Sequence, residues 1–285
     1  METGLLASED SVRLTAFLAV LSVMAVWELA APRRRLDVPR LIRWSNNLAL
    51  VVVDAVIVRL AFPVLAVGAA VWAQVQGYGL LNLLGVPELP GMVTAMVLLD
   101  LVIYGQHLLF HAVPFFWRLH RMHHADLDFD VTTGLRFHPA EIVLSMAIKI
   151  AVVVTLGAPP LAVLLFEVLL NASSLFNHAN VRLPPRVEPL LRLIVVTPDM
   201  HRVHHSAIPE ETNSNFGFNV PWWDRLFGTY RAQPRDGHER MTIGLGRFRS
   251  VRDLWLDRML IQPLIGPINA LEVPEASHAV RSQDV

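Results

Sequence analysis

The sequence contains no cysteine among its 285 residues. This absence excludes a disulfide, a thiolate metal ligand and an iron–sulfur cluster within the chain. Charged residues are also scarce, at 17%, whereas about 25% is typical of soluble domains. The formal net charge of −1 gives no support for nucleic-acid binding, which needs a clustered basic surface. The hydrophobic fraction of 53% and the mean hydropathy of +0.43 are instead typical of a membrane protein.

Long apolar segments predict an all-α integral membrane protein that crosses the bilayer several times. A transmembrane helix needs roughly 20 mostly apolar residues. We expect about four transmembrane helices, one of them interrupted by Pro63, and we include in that number a helical hairpin that turns at Gly157 and Pro159. Inside the hairpin, Lys149 and Glu167 need a protein or water partner. The predicted segments run from Val12 to Ala31, from Leu48 to Ala73, from Gly91 to Phe110 and over 142–176.

The arginine distribution predicts the orientation of these segments. We expect the first segment to be an uncleaved anchor, because Glu2, Glu9 and Asp10 stand where a signal peptide has its positive region. Positive residues that flank a span stay in the cytoplasm, whereas the loop 74–90 has no Lys or Arg and is expected outside. The cytoplasmic side therefore receives the arginines that follow the first span: Arg33, Arg34, Arg35, Arg40 and Arg43.

Eight of the 12 histidines fall into three clusters. Histidines at i and i+4, or at i, i+3 and i+4, lie close together on one side of a helix. Imidazole suits Zn, Cu, Fe and Ni, and a tetrahedral zinc site takes about four ligands. Eight clustered histidines therefore predict two metal ions. The predicted topology puts all of them, together with His138 and His178, on the cytoplasmic side. The clusters are His107 and His111, then His120, His123 and His124, then His201, His204 and His205.

Several metal-dependent functions remain open at this point. A zinc peptidase is disfavoured, because the sequence has no HExxH motif. A transition-metal transporter or sensor of the membrane uses histidines near the middle of several spans, whereas these histidines lie at helix ends. A haem-binding cytochrome leaves the repeated HxxHH pattern unexplained. Metal content and a Soret band distinguish these possibilities.

The ordered histidine motifs resemble those of the fatty acid hydroxylase/sterol desaturase superfamily of membrane enzymes. The resemblance covers roughly Met92 to Tyr230 and rests on HLLFH at His107, HRMHH at His120, FNHAN around His178, and HRVHH at His201 followed by NSNFGFNVPWWDRLFGTY. It implies a membrane bundle with a cytosolic helical metal domain, two iron ions, O₂ as oxidant, and hydroxylation or desaturation of a sterol, fatty acyl or related lipid. Carried over residue by residue, it implies these metal ligands: His107, His111, His120, His123, His124, His138, His178, His201, His204 and His205.

The sequence leaves the role of His138 and the complete ligand set of one iron open. His138 has an alternative interpretation as a cap of the following helix. Ser174 stands where one branch of the family has a second histidine, which leaves one iron open to completion by His138, Asn171 or water. Ligating histidines usually donate their second N–H to a carboxylate or carbonyl. Candidates for this role are Asp100, Asn180, Asp199 and Asp224, with Asn215 a further one.

The sequence also indicates that a partner protein supplies electrons. Reducing equivalents come from another protein, because the sequence has no GxGxxG nucleotide motif and no cysteine cluster. We expect a ferredoxin or cytochrome b5-type donor with its reductase.

The sequence predicts three regions. They are an N-terminal transmembrane region (1–90), a histidine-motif catalytic region (91–232) and a C-terminal region (233–285) that consists of an amphipathic helix and a polar tail from about Glu272.

Overall fold

The computed structural model describes residues 4, 6 and 8–266. Within this part the chain is helical and contains no β-strand, only two isolated bridges. Short 3₁₀ segments occur at Val131–Leu135, Val251–Leu254 and Gln262–Leu264. The α-helices are α1 Glu9–Ala30, α2 Arg40–Ala61, α3 Ala66–Gln76, α4 Leu80–Leu83, α5 Glu88–Ala112, α6 Pro114–His124, α7 Pro139–Leu156, α8 Pro160–Asn177, α9 Glu188–Leu191, α10 Pro198–His204, α11 Pro209–Thr212, α12 Trp222–Phe227 and α13 Leu256–Ile261.

The all-α membrane fold predicted from hydropathy is confirmed, with a larger number of spans. Five stretches of the described chain are long and apolar enough to cross a membrane: α1, α5, α7, α8 and the stretch Arg40–Leu83. Leu14, Val23 and Leu60 on these helices are 58%, 62% and 81% exposed, as side chains that face lipid are. The protein is therefore an integral membrane protein.

The second apolar segment forms more than the one helix that the sequence predicts. Proline has no backbone N–H and disfavours a helical conformation in the residue before it. Accordingly α2 ends at Ala61, and Phe62 is extended with φ −126° and ψ 105° ahead of Pro63. The chain re-enters a helix at Ala66, and α3 packs against α7 and α8. The 22 residues of α2 alone have the length of a span.

The predicted hairpin is formed by α7 and α8, which meet at Gly157. This glycine has a left-handed conformation with φ 65° and lies against Gly79, where an added Cβ would be 2.1 Å from the Gly157 nitrogen. Across the hairpin, Lys149 Nζ donates to Glu167 Oε1 at 2.8 Å, and Arg13 of α1 lies 3.2 Å from Glu167 Oε2. The two charges inside the hairpin thus pair with each other.

Arg43, one of the arginines used to predict topology, ties the histidine-bearing end to the membrane helices. The Arg43 guanidinium is fully buried; it donates twice to Asp126, at 2.8 Å each, and also to Asp130. In α1, Glu28 Oε1 accepts from the backbone N–H groups of Val131 and Asn180 at 2.7 and 2.6 Å. The arginine-rich segment and the histidine motifs therefore share one end of the bundle.

The C-terminal region packs against the same end. Met259 of α13 forms an apolar cluster with Leu50 of α2 and Met122 of α6. The carbonyl of Gln262 accepts from Arg121 Nη2 at 2.6 Å. The predicted amphipathic helix is thus a short helix held against α2 and α6, and the predicted polar tail lies outside the described residues.

Candidate metal centre

Nine buried or half-buried histidines converge in two groups at this end of the bundle. Within each group, ring nitrogens lie within 4.8 Å of one another. The rings of His124 and His205, one from each group, stack with centroids 4.5 Å apart, so the two groups adjoin. Group one consists of His107, His111, His120, His124 and His204, and group two consists of His123, His178, His201 and His205.

The two HxxHH motifs divide their histidines between the groups in opposite ways. At 3.6 residues per turn, positions i and i+4 lie at a similar angle around the helix axis, whereas position i+3 lies on the opposite side of position i. In α6, the i and i+4 histidines join group one and His123 joins group two. At α10, His201 and His205 join group two and His204 joins group one. Each motif therefore connects both groups.

The remaining members come from the ends of two membrane helices. His107 and His111 are one turn apart at the C-terminal end of α5 and both join group one. His178 follows the last residue of α8 and joins group two. Apart from His111, which is half-buried, the exposed fractions of the nine histidines lie between 0% and 7%.

Most of these rings are oriented by a hydrogen bond at Nδ1. A neutral imidazole that donates from Nδ1 keeps its lone pair on Nε2, the arrangement found in most metal-bound histidines. Four rings donate to backbone carbonyls, one to a carboxylate and one to an amide. The pairs are His107 with Phe216 O (2.9 Å), His123 with Arg136 O (3.2 Å), His178 with Ser174 O (2.8 Å), His204 with Ser214 O (2.7 Å), His120 with Glu141 Oε1 (2.7 Å) and His111 with Asn213 Oδ1 (3.3 Å).

The Nε2 atoms remain available to a ligand in both groups. In group one, the Nε2 atoms of all five histidines are buried without a hydrogen-bond partner in the described part of the chain. In group two, His178 Nε2 lies 3.2 Å from His123 Nε2 and 3.1 Å from His201 Nε2. The Nε2 atoms of His123 and His178 both carry lone pairs, so this approach is favourable only around a cation. The residues present therefore fit two metal ions.

Burial favours the neutral form of most of these imidazoles. It lowers the pKa of His178 to about 3, and it lowers the pKa values of His123, His124, His201 and His204 well below 6.5. A histidine binds a metal only in its neutral form. The centre thus offers nitrogen ligands at neutral pH, a donor set that suits iron, zinc, copper or nickel.

Comparison with known proteins identifies the region that contains this centre. Residues 92–229 match the family model described as fatty acid hydroxylase. These residues belong to the fatty acid hydroxylase/sterol desaturase superfamily. The resemblance inferred from the histidine motifs is thereby confirmed, and the hydroxylase-family region contains all nine clustered histidines.

Three relatives illustrate the family. The ornithine lipid hydroxylase OlsE of Rhizobium tropici is 34% identical over 144 residues, which are 50% of this chain and 43% of that protein. The alkylglycerol monooxygenase of Homo sapiens is 28% identical over 53% of this chain and 32% of its own length. The cholesterol 25-hydroxylase of Rattus norvegicus is 26% identical over 52% of this chain and 50% of its own length. The chain thus spans half or less of the length of these relatives. No solved structure matches it.

His138 lies outside both groups of the hydroxylase-family region. Its Nδ1 accepts from the backbone N–H of Ala140 at 3.1 Å, as a cap of α7, and its Nε2 lies 3.2 Å from the carbonyl of Leu260. Both ring nitrogens are therefore occupied. The structure shows His138 as a cap of the following helix, which is the alternative that the sequence allows, and places it outside both groups. Asn171 is likewise absent from group two, which His123, His201 and His205 complete around His178.

None of the five candidates for orienting the clustered histidines bonds one of those rings in the described part of the chain; the Asn215 side chain bonds the backbone of Met200 and Arg231. Asp100 accepts from Asn219 Nδ2 and Trp223 Nε1 at 2.6 and 2.7 Å. Asp224 is one step removed, because it accepts from the N–H of Phe216, whose carbonyl receives His107. Asn180 and Asp199 bind the arginine-rich segment: the Asn180 side chain bonds the backbone of Arg34, and Asp199 accepts from Arg33 Nε at 3.2 Å.

The sequence did not identify the side chains that orient the clustered histidines, Glu141 and Asn213. Glu141 lies in the first turn of α7 and is 2% exposed. A carboxylate at the start of an apolar helix is a sequence signal that could have identified it. Asn213 lies in the NSNFGFN stretch that carried the resemblance. The other partners are backbone carbonyls, which no residue type identifies.

Proposed function

We propose that this protein is a membrane-bound, non-haem di-iron enzyme that uses O₂ to hydroxylate a lipid. The observation that carries the proposal is the pair of adjoining, buried histidine groups: the five Nε2 atoms of group one have no partner in the described part of the chain, and in group two three Nε2 atoms lie within 3.2 Å of a neighbouring Nε2. The relatives support the chemistry, because they are named as hydroxylases or monooxygenases of ornithine lipid, alkylglycerol and cholesterol.

The chain's own residues have three tasks in this reaction. The nine histidines hold the metal ions, and Glu141 together with four backbone carbonyls fixes the rings so that little reorganisation accompanies turnover. Burial of the rings excludes bulk water from the centre. When bound, the two irons would supply the redox chemistry that attack on an unactivated C–H bond requires, which imidazole alone cannot provide.

We further propose that an acidic electron-donor protein, of the ferredoxin or cytochrome b5 type, docks at a basic groove on the cytoplasmic face. The basic groove has a volume of about 960 Å³. Asn180 and Asp199 bond the arginine-rich segment that lines this groove. They connect it to group two, since they lie two residues from His178 and His201. The cytoplasmic assignment follows the rule that arginine-rich flanks of spans remain inside. The groove is lined by Arg33, Arg34, Arg35, Arg40 and Arg182, with Asp37 and Glu239.

Metal analysis and isotope labelling test the proposal. The detergent-purified protein is expected to contain about two non-haem irons per chain and to transfer ¹⁸O from ¹⁸O₂ to a lipid. His204→Ala and His201→Ala, one from each group, should lose iron and all product while remaining in the membrane. His138→Ala is the matched control, because it changes a histidine outside both groups.

Three outcomes would contradict the proposal. Normal turnover by His204→Ala would exclude group one from the reaction. Reversible zinc loading with transport and without oxygenated lipid would instead indicate a metal transporter. A Soret band would indicate haem.

A further inference from the structure

Two short segments beside the candidate metal centre expose apolar side chains and bury charged ones. The first is 186–194, which contains α9, and the second is α12. Arg192 is 7% exposed and Asp224 is fully buried, although both segments lie at the surface. The side chains that these segments expose instead form what we call the apolar patch. It consists of Leu190, Leu193, Ile194, Trp222, Leu226 and Phe227, which are 67%, 53%, 60%, 48%, 68% and 55% exposed.

This pattern is the reverse of the one that a surface helix has in water, where apolar side chains face the core. The buried charges have partners inside the protein. Arg192 Nε donates to Glu188 Oε1 at 2.7 Å, and Asp224 accepts from the backbone N–H groups of Phe216 and Gly217 at 2.8 Å each. A contiguous exposed apolar patch marks a surface that contacts another protein or a membrane.

The two segments are joined into one surface by hydrogen bonds. Trp222 Nε1 donates to the carbonyl of Leu193 at 2.8 Å, and Arg225 Nη2 donates to the carbonyl of Arg192 at 3.1 Å. These bonds hold α12 beside the segment 186–194, so their apolar side chains lie on one face of the protein.

The apolar patch continues the lipid-facing surface of two membrane spans. The ring of Phe227 stacks on that of Tyr104 in α5, with centroids 5.5 Å apart. Trp222 lies with Val97 of α5 and Leu169 of α8 around one small pocket, and those two side chains are 41% and 44% exposed. Because α5 and α8 are spans, the medium next to the patch is the bilayer.

The charges around the apolar patch suit lipid headgroups. The exposed charged side chains of these two segments are Arg186 and Arg225, both positive. Arginine beside an apolar surface interacts favourably with the phosphates of lipid headgroups, and tryptophan is enriched at the same depth of the membrane. The charge and the composition of the patch therefore favour a lipid surface over an acidic or neutral protein.

We propose that the apolar patch inserts into the bilayer at the headgroup boundary, on the side of the candidate metal centre. It is a membrane anchor in addition to the five spans. With four and six residues, α9 and α12 are too short to cross a membrane, so they lie in the plane of the interface. The proposal does not depend on the oxygenase function.

The anchor is bonded to the elements that carry the histidines. Thr197, which caps α10, donates from Oγ1 to Glu188 Oε1 of α9 at 2.8 Å. Asp224 of α12 accepts from the N–H of Phe216, whose carbonyl receives His107. Insertion of the apolar patch therefore fixes the distance between the histidine groups and the membrane surface.

Fluorescence quenching of single labels tests the proposal. The chain has no cysteine, so Ile194→Cys and Leu226→Cys each introduce one site for an environment-sensitive fluorophore. The full-length protein is placed in nanodiscs of phosphatidylcholine and phosphatidylglycerol with one chain per disc. Lipids with a nitroxide at carbon 5 should quench both labels more than lipids with a nitroxide at carbon 12. Aqueous iodide should quench them about tenfold less than a label at Glu210→Cys, because an anion is excluded from the apolar boundary.

Two further constructs complete the comparison. Val52→Cys is the deep control, because Val52 is 63% exposed near the middle of α2 and should be quenched most by the nitroxide at carbon 12. Ile194→Asp puts a charge into the apolar patch and should lower nitroxide quenching of the Leu226 label about twofold. Thr242→Asp adds the same charge at an exposed site outside the patch and should leave that quenching unchanged.

Three results would overturn the proposal. Iodide quenching of both patch labels as strong as at Glu210, without quenching by nitroxide lipids, would place the patch in water, as a docking surface for a soluble protein requires. Protection from iodide only in discs that hold two chains would indicate a contact between copies. Nitroxide quenching that Ile194→Asp leaves unchanged would show that the patch is near lipid but not inserted. These measurements do not involve turnover, so the anchor and the oxygenase function succeed or fail independently.

Discussion

Replacing Glu141 tests whether the hydrogen bond that orients the His120 ring controls metal binding at the candidate centre. Glu141 Oε1 accepts from His120 Nδ1 at 2.7 Å, and both side chains are 3% exposed. A hydrogen bond to a charged partner contributes about 1.5–3 kcal/mol, and about 1.4 kcal/mol corresponds to a factor of ten in affinity. Glu141→Leu should therefore weaken iron binding about tenfold to a hundredfold. Glu141→Gln, which keeps a neutral acceptor, should weaken it about tenfold or less.

The assay is a competition for iron between the purified protein and a chelator. The chelator concentration that removes half of the iron should fall in the order wild type, Glu141→Gln, Glu141→Leu. Glu210→Gln is the control, because Glu210 is an exposed carboxylate at the start of α11. Wild-type iron affinity in Glu141→Leu would refute the reasoning that this carboxylate holds a ligand in place.

Three further predictions concern the stability of the fold and the proposed donor surface. Arg43→Met removes the counter-charge of buried Asp126 and should lower the free energy of unfolding by about 3–5 kcal/mol, whereas Arg186→Met on the surface should leave the melting temperature unchanged. Burial lowers the pKa of His238 to about 4, so the unfolded chain takes up its proton first and stability falls as pH drops from 6.5 to 4. His238→Gln should reduce that loss by about 1.4 kcal/mol per pH unit, measured by chemical unfolding of the metal-free protein, and an unchanged pH slope would contradict it. Arg35→Glu in the basic groove should raise the KM for a reduced acidic ferredoxin without changing turnover with a chemical reductant, and an unchanged KM would exclude this surface as the docking site.

The membrane architecture was accessible from the sequence because it depends on local composition. A run of apolar residues as long as a bilayer is thick has few other stable environments, so the spans were predictable without knowing their neighbours. The main difference occurs at Pro63, where one predicted segment is two helices. The sequence showed the proline but not the direction in which α3 packs, since that depends on α7 and α8.

The candidate site was predictable to the extent that helical spacing defines a shared face. The spacing of the histidine motifs indicated that their rings lie together, and the resemblance to the superfamily supplied His178, which has no neighbour in sequence. Spacing did not separate His138 from the ligands, because a histidine before a proline serves equally well as a helix cap. The structure adds the hydrogen bonds of His138 to Ala140 and Leu260, which spacing does not predict.

The sequence by itself determined the spans, the shared side of the histidines and the membership of the superfamily, because each depends on residue type and local spacing. Only the tertiary structure decided which histidine joins which group, since that depends on how α6 and α10 rotate against each other. It likewise decided that Glu141 holds His120 and that Asp100 holds Asn219, 119 residues away. Contacts of this kind depend on the packing of helices that are distant in sequence, so they cannot be inferred from local sequence.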